Sequence, residues 1–207
     1  MTYFEVLVEG GSDVPTMREI LVRRFGLEEK THFRIHPHKG RGKLPLNPLA
    51  RPDPKQQALL AQLPAKLRGF GSYFGDNDCV LVVVDADDTP PAELLGELNA
   101  MLAQLPQRPR RVLLLPAVEE TESWFLADSA AVLQAYPGAK VQKLKAIPPD
   151  AVVGAWEVLA DAVGMPRKAV TGADKYQWAM NIAPHLNLDQ PGSPSLRALI
   201  EGIEQEV

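Results

Sequence analysis

The stretch Cys79-Val-Leu-Val-Val-Val-Asp-Ala-Asp-Asp88 is apolar for six residues and then abruptly acidic. A short, β-branched run of this kind predicts a strand buried on both faces, as in a parallel sheet. Its carboxylates fall just past the C-terminal tip, where open α/β sheets bind their ligands. Phe4-Glu-Val-Leu-Val-Glu-Gly-Gly11 repeats the pattern near the N-terminus. If the two strands are neighbours, Glu9, Asp85 and Asp87 converge. Crowded carboxylates repel one another unless a proton or a cation stands between them. A divalent metal, Mg²⁺ or Mn²⁺, is therefore the expected occupant.

Around these two strands the pattern alternates. Tyr3–Val8 opens the chain, a glycine turn follows, and Pro15 suits the first turn of a helix running to about Phe25. His32–His36 is a second short strand. Pro37 to Pro54 is a long loop, of the kind usually kept for function. A helix is predicted over Lys55–Leu67, kinked or ended by Pro64. After the central strand, Pro90-Pro91 opens another helix. Arg111–Leu115 is a buried strand closed by Pro116, and Glu119 to about Ala135 reads as one helix. This order indicates an α/β domain over residues 1–135, a mostly parallel sheet flanked by helices. Residues 136–207 read as a helical C-terminal portion packed on it, with helices over Asp150–Val163, Asp174–His185 and Ser195–Glu204. Ala151-Val-Val153 is the one further strand-like run.

Composition narrows the class. Of 207 residues, 45% are hydrophobic and 23% charged, which is ordinary for a globular protein. No run approaches the roughly 18 apolar residues of a membrane-spanning helix, and the N-terminus lacks a signal-peptide order. A single cysteine, Cys79, excludes an internal disulfide framework and fits a reducing cytoplasm. Its place in an apolar strand makes it a packing residue.

Net charge is -4, yet the charges are segregated. Between Lys30 and Lys55 stand Lys30, Arg34, Lys39, Arg41, Lys43, Arg51 and Lys55 against the single acid Asp53. Arg108, Arg110 and Arg111 form a second cluster. A basic loop beside an acidic, metal-sized cluster suits a phosphate-bearing substrate. Lys39, Arg41 and Lys43 are the expected substrate-binding cations. Gly10 and Gly11 are expected to let the backbone approach the ligand closely.

Other motifs test this reading. Glu119 and Glu122, three apart, share a helix face and are expected to join the metal site, with Glu122 ahead. His36-Pro-His-Lys-Gly-Arg-Gly-Lys43 lacks the glycine spacing and the Ser or Thr of a P-loop. A His-x-His zinc site would need further ligands that the sequence hardly supplies. Trp124, Trp156 and Trp178 sit in helical patterns and read as core. Asp85-x-Asp87-x-Thr89 also resembles the first motif of haloacid-dehalogenase-type phosphatases, in which the first Asp is the nucleophile. That family needs a later strand ending in an acidic pair, whereas Arg111–Leu115 ends in Pro-Ala-Val.

Taken together, Glu9-Gly10 after the first strand and Asp85-Ala-Asp87 after a later one resemble the TOPRIM (topoisomerase–primase) catalytic domain over about residues 1–130. The segments His36–Lys43, Glu119-Glu-Thr-Glu-Ser-Trp-Phe-Leu-Ala-Asp128 and Ser193-Pro-Ser-Leu-Arg-Ala-Leu199 resemble, more narrowly, small stand-alone TOPRIM-like bacterial proteins. These are akin to the nuclease half of overcoming-lysogenisation-defect (OLD) nucleases and are often encoded beside an ATPase. The resemblance implies a TOPRIM-like, Rossmann-like fold and magnesium-dependent cleavage of nucleic acid, DNA or RNA. It also implies a place in phage defence or repair. Glu9 would be a ligand or general acid/base, Asp85 and Asp87 would hold metal, and Glu122 would complete a second metal position. The chain departs from topoisomerases in lacking a further domain with a tyrosine nucleophile. Without a P-loop, any ATP dependence would come from a partner. The competing expectation is a non-catalytic TOPRIM module that binds nucleic acid or the ATPase; self-association into a homo-oligomer is left open.

Overall fold

The computed structural model describes residues 1–87, 89–118, 120–145, 150 and 153–207, with the side chains of Val141 and Lys145 left aside. It is an α/β structure built on a four-stranded, all-parallel sheet of order β2-β1-β3-β4. The strands are β1 (Tyr3–Val8), β2 (Phe33–Pro37), β3 (Asp78–Asp85) and β4 (Arg111–Ala117). Val6 lies between Ile35 of β2 and Leu81 of β3, and Asp85 is paired with Ala117 of β4.

Period-two alternation divides the core. Phe4, Val6, Val8, Cys79, Leu81 and Val83 project to one face, and Leu7, Val80, Val82 and Val84 to the other. The second face is covered by α2 (Leu59–Gly71) and α3 (Pro91–Ala103). The first is covered by α1 (Asp13–Glu19), which continues through a π-helical turn over Ile20–Arg24, and by α4 (Glu122–Leu126) and α5 (Ser129–Ala135). Beyond them α6 (Val141–Lys145), α7 (Ala155–Val163), α8 (Gly172–Ile182) and α9 (Pro194–Glu204) complete the layer. Leu159, Trp178, Ile182, Leu199 and Ile203 sit in the same apolar cluster as Phe4 and Leu81, so the C-terminal helices and the sheet share one core. Full burial of each such side chain stabilises the fold by about 1.5–3 kcal/mol. Cys79 is buried in this core, where burial pushes its thiol up to about 12. Among the described residues no helix is long and apolar enough to cross a membrane.

Four elements depart from expectation. α2 begins four residues after Lys55 and runs through Pro64 to Gly71. Its first N–H groups, on Leu59 and Leu60, are taken by the carbonyls of Gly40 and Arg41, which fixes the start. Past Pro64, burial of Leu59, Leu60, Leu63, Leu67 and Phe70 outweighs the roughly 3 kcal/mol penalty of an interior proline. β4 likewise continues through Pro116, opposite Val84, because it is an outer strand that can spare an N–H. The single helix expected over 119–135 is two, because the Asp128 carboxylate accepts from the Ala131 N–H and caps a fresh start. α7 begins at Ala155, after Gly154 in the left-handed region, later than the expected Asp150. Residues 151 and 152 of the strand-like run, and Asp88, lie outside the described residues.

Candidate functional site

The strand order sets the location of the site. From β1 the chain crosses to β2 on one side and then to β3 on the other, so β1 and β3 form the switch point of the sheet. In open α/β sheets ligands bind at such a point, outside the C-terminal strand ends. Glu9 follows β1 and Asp85 ends β3. The Asp85 N–H donates to Glu9 Oε1 at 2.9 Å, so the expected meeting of the two is realised.

Glu122, in the first turn of α4, is 5% exposed and lies close enough that its charge raises the pKa of Asp85. Glu119 lies outside the described residues. Asp87 is exposed, in the left-handed region at φ 46°, which Asp tolerates better than most residues. Its carboxylate faces Arg41 Nη1 at 3.0 Å, and the same guanidinium donates to Ala86 O and Thr89 Oγ1, both at 3.0 Å. Arg41, expected on the substrate, thus clasps the basic loop to the end of β3. Gly40 N–H donates to Glu9 O at 2.9 Å and draws the loop against β1. Gly42 permits this docking: at φ 68° it is left-handed, and a Cβ there would lie 2.5 Å from the Ala58 Cβ. Lys39 and Lys43 are exposed and, among the described residues, make no ion pair. Gly10 and Gly11 are not in the left-handed region, and a Cβ on Gly11 would meet open space. The tight-approach role expected of them is therefore not a conformational need.

Three charged residues of the site escaped the sequence reading. Asp13, 5% exposed, accepts from Gly10 N–H at 2.9 Å and from Thr121 Oγ1 at 3.0 Å. It stands four residues after Glu9, and its spacing reads as helix-capping. Glu120 accepts from Trp156 N–H at 3.1 Å. Lys175, in the first turn of α8, reaches Glu120 Oε1 and Glu122 Oε1, both at 3.4 Å, with its ammonium 5.2 Å from the centre of the Trp156 ring. No local signal points to Lys175; only the tertiary fold brings it here.

The electrostatics follow from this crowding. Burial is the leading cause throughout, and neighbouring carboxylates add to it. Glu9 is pushed up to about 8, with Asp13 and Asp87 contributing and the Asp85 N–H opposing. Asp85 is held well above the ordinary carboxylate range by burial and by Asp13, Glu9, Glu122 and Glu120. Asp13 and Glu122 are also raised, and Glu120 reaches about 7. Burial works against the charge of Lys175, but Glu122 and Glu120 outweigh it and keep its pKa above the ordinary lysine value.

Five carboxylates and one ammonium thus meet at one rim. The donor set, hard oxygens alone, fits Mg²⁺ or Mn²⁺ and not a thiophilic metal. Among the described residues no three His, Cys, Asp or Glu side chains are already spaced to hold a metal ion. The carboxylates are instead engaged with Asp85 N–H, Gly10 N–H, Thr121 and Lys175. His36 lies against Glu5, and His38 Nδ1 donates to Val8 O, so neither ring faces this cluster. Arg110 and Arg111 of the second basic cluster are spent on Asp76 and Glu206. Trp124 and Trp178 are core, while Trp156 is partly buried against Lys175. No protein-family model, curated protein or solved structure matches the chain.

Proposed function

We propose that the chain is a TOPRIM-type, divalent-metal-dependent nuclease. The observation that carries this is the gathering of Glu9, Asp13, Asp85, Glu120 and Glu122 with Lys175 at the switch point of a parallel sheet. A protein gains nothing in stability by crowding acids whose charged forms burial opposes; such sites mark chemistry. Glu9, Asp85 and Glu122 are the residues that would hold Mg²⁺ or Mn²⁺, with Asp87 beside them. When bound, the metal neutralises the scissile phosphate and lowers the pKa of its water. Glu9, near neutrality, is suited to take or give a proton. Lys175 supplies a fixed positive charge for the phosphate. A nucleic-acid strand is the substrate that agrees with the Lys39 and Lys43 loop beside an acidic centre. A partner ATPase, a phage-defence or repair setting and a cytoplasmic location belong to the same reading.

The test incubates pure protein with plasmid, single-stranded DNA and RNA, with Mg²⁺ or Mn²⁺ and with EDTA. Cleavage that EDTA and Asp85→Ala both abolish is the expected result. Tight binding without cleavage would make this a non-catalytic module. Turnover of p-nitrophenyl phosphate alone, lost on Asp85→Asn, would make it a phosphatase.

A further inference from the structure

Beside the start of the basic loop, with Arg41 not among its lining, lies a cavity of about 470 Å³. Gly11, His38, Lys39, Gln57, Gln62 and Lys66 line it, and no acidic residue does. Lys66 rises from α2 and is partly buried; among the described residues it makes no ion pair. Glu5, the one carboxylate whose charge it feels, is held by His36. Burial lowers the pKa of Lys66, so its charge lacks the compensation that an anion would give. The walls are set by the fold. His38 Nδ1 donates to Val8 O at 2.8 Å, and Lys39 N–H donates to Gln57 O at 2.9 Å. The cavity also adjoins the acidic centre. Gly11 is two residues from Glu9, and Gly40, next to Lys39, bonds to the Glu9 carbonyl. Two residues of chain span at most about 7 Å, and the charges of a nucleic-acid strand recur every 3.4 Å or so along its axis.

The geometry points to this cavity as a second phosphate site, in which Lys66 and Lys39 grip a backbone phosphate of the strand whose neighbouring linkage lies at the acidic centre. This assignment rests on the nuclease reading above. It gives the strand a path: over the Lys39 side of the loop, past Gly11 and onto Glu9. Arg41 does not take part, being spent on Ala86, Asp87 and Thr89.

The experiment is lysine-selective acetylation of the full-length protein in EDTA, read by mass spectrometry, with and without a single-stranded oligonucleotide. Lys66 and Lys39 should be protected and the exposed Lys143 should not. In fluorescence anisotropy, likewise in EDTA, Lys66→Gln should bind the oligonucleotide several-fold more weakly. The slope of log K against log salt should fall by about 0.7, the value of one contact to a single strand. Lys143→Gln should change neither. Unprotected Lys66, or an unchanged salt slope in Lys66→Gln, overturns the assignment, and the labelling needs no variant to fold. Inorganic phosphate protecting Lys66 at as low a concentration as the oligonucleotide would make this a free-phosphate site and also overturn it. Because both measurements are made without metal, absence of cleavage elsewhere would sink the nuclease reading without mimicking either result.

Discussion

The Glu9 carboxylate accepts a hydrogen bond from the backbone N–H of Asp85 at 2.9 Å, fixing the acid after the first strand to the tip of the third. The bond favours the charged form of Glu9, yet burial and nearby Asp13 and Asp87 prevail and its pKa stands at about 8. The centre is therefore partly protonated near neutrality.

A pH dependence of stability follows. Glu9 at about 8 and Glu120 at about 7 both lie above the 4.5 of an ordinary glutamate. Between those values the folded chain holds more protons than the unfolded one, so stability falls as pH rises. In EDTA the melting temperature should drop from about pH 5 to about pH 8, and Mg²⁺ should offset most of the drop by replacing the protons. Thermal melts across that range, with and without metal, check both signs. An EDTA curve that climbs with pH would contradict the argument.

Removing one buried carboxyl should stabilise the metal-free protein. Asp85→Asn abolishes the cost of burying an ionisable acid and, after it, the repulsion from Asp13, Glu9, Glu122 and Glu120. The expected gain is about 0.5–2 kcal/mol in EDTA, or roughly 1–8 °C for a chain of this size. Stabilisation by Mg²⁺ should be lost at the same time. Differential scanning fluorimetry reads both effects, and a lower melting point in EDTA would count against the crowding.

Lys175 should matter in the opposite sense. Lys175→Met leaves Glu120 and Glu122 without their cation and should cost about 1–3 kcal/mol at neutral pH. The loss should shrink near pH 5, where Glu120, at about 7, is protonated, and the raised pKa of Glu122 works in the same direction. Urea denaturation at the two pH values measures the difference; an equal loss at both would assign Lys175 to packing.

Arg41 should govern the loop. It binds Ala86, Asp87 and Thr89 together, which one ammonium cannot do. Arg41→Lys should therefore resemble Arg41→Ala, each losing about 1–2 kcal/mol and each exposing residues 42–58 to limited proteolysis. Wild-type resistance in Arg41→Lys would show that charge alone suffices.

Much of this arrangement could be read from local pattern. The runs ending at Val8 and at Asp85 announce buried parallel strands, and Glu9 with Asp85 marks their shared tip, because side-chain period and burial are local properties. Pro64 and Pro116 misled where tertiary packing or an outer-strand position made a missing N–H tolerable. Asp13 bonds the nearby Gly10 N–H, a local contact; its second role depends on Thr121, more than a hundred residues on. Lys175 carries no mark at all, since its partners are assembled by the docking of α8 against α1.

That remote origin of Lys175 ties the last third of the chain to the first. A folding intermediate with a completed sheet but an undocked Gly172–Ile182 segment holds its acids with no ammonium to balance them. Such an intermediate is penalised at the acidic rim itself. Sheet closure and helix docking should accordingly occur as one cooperative event, and a chain cut before residue 170 would expose a rim of unbalanced negative charge that repels any polyanion.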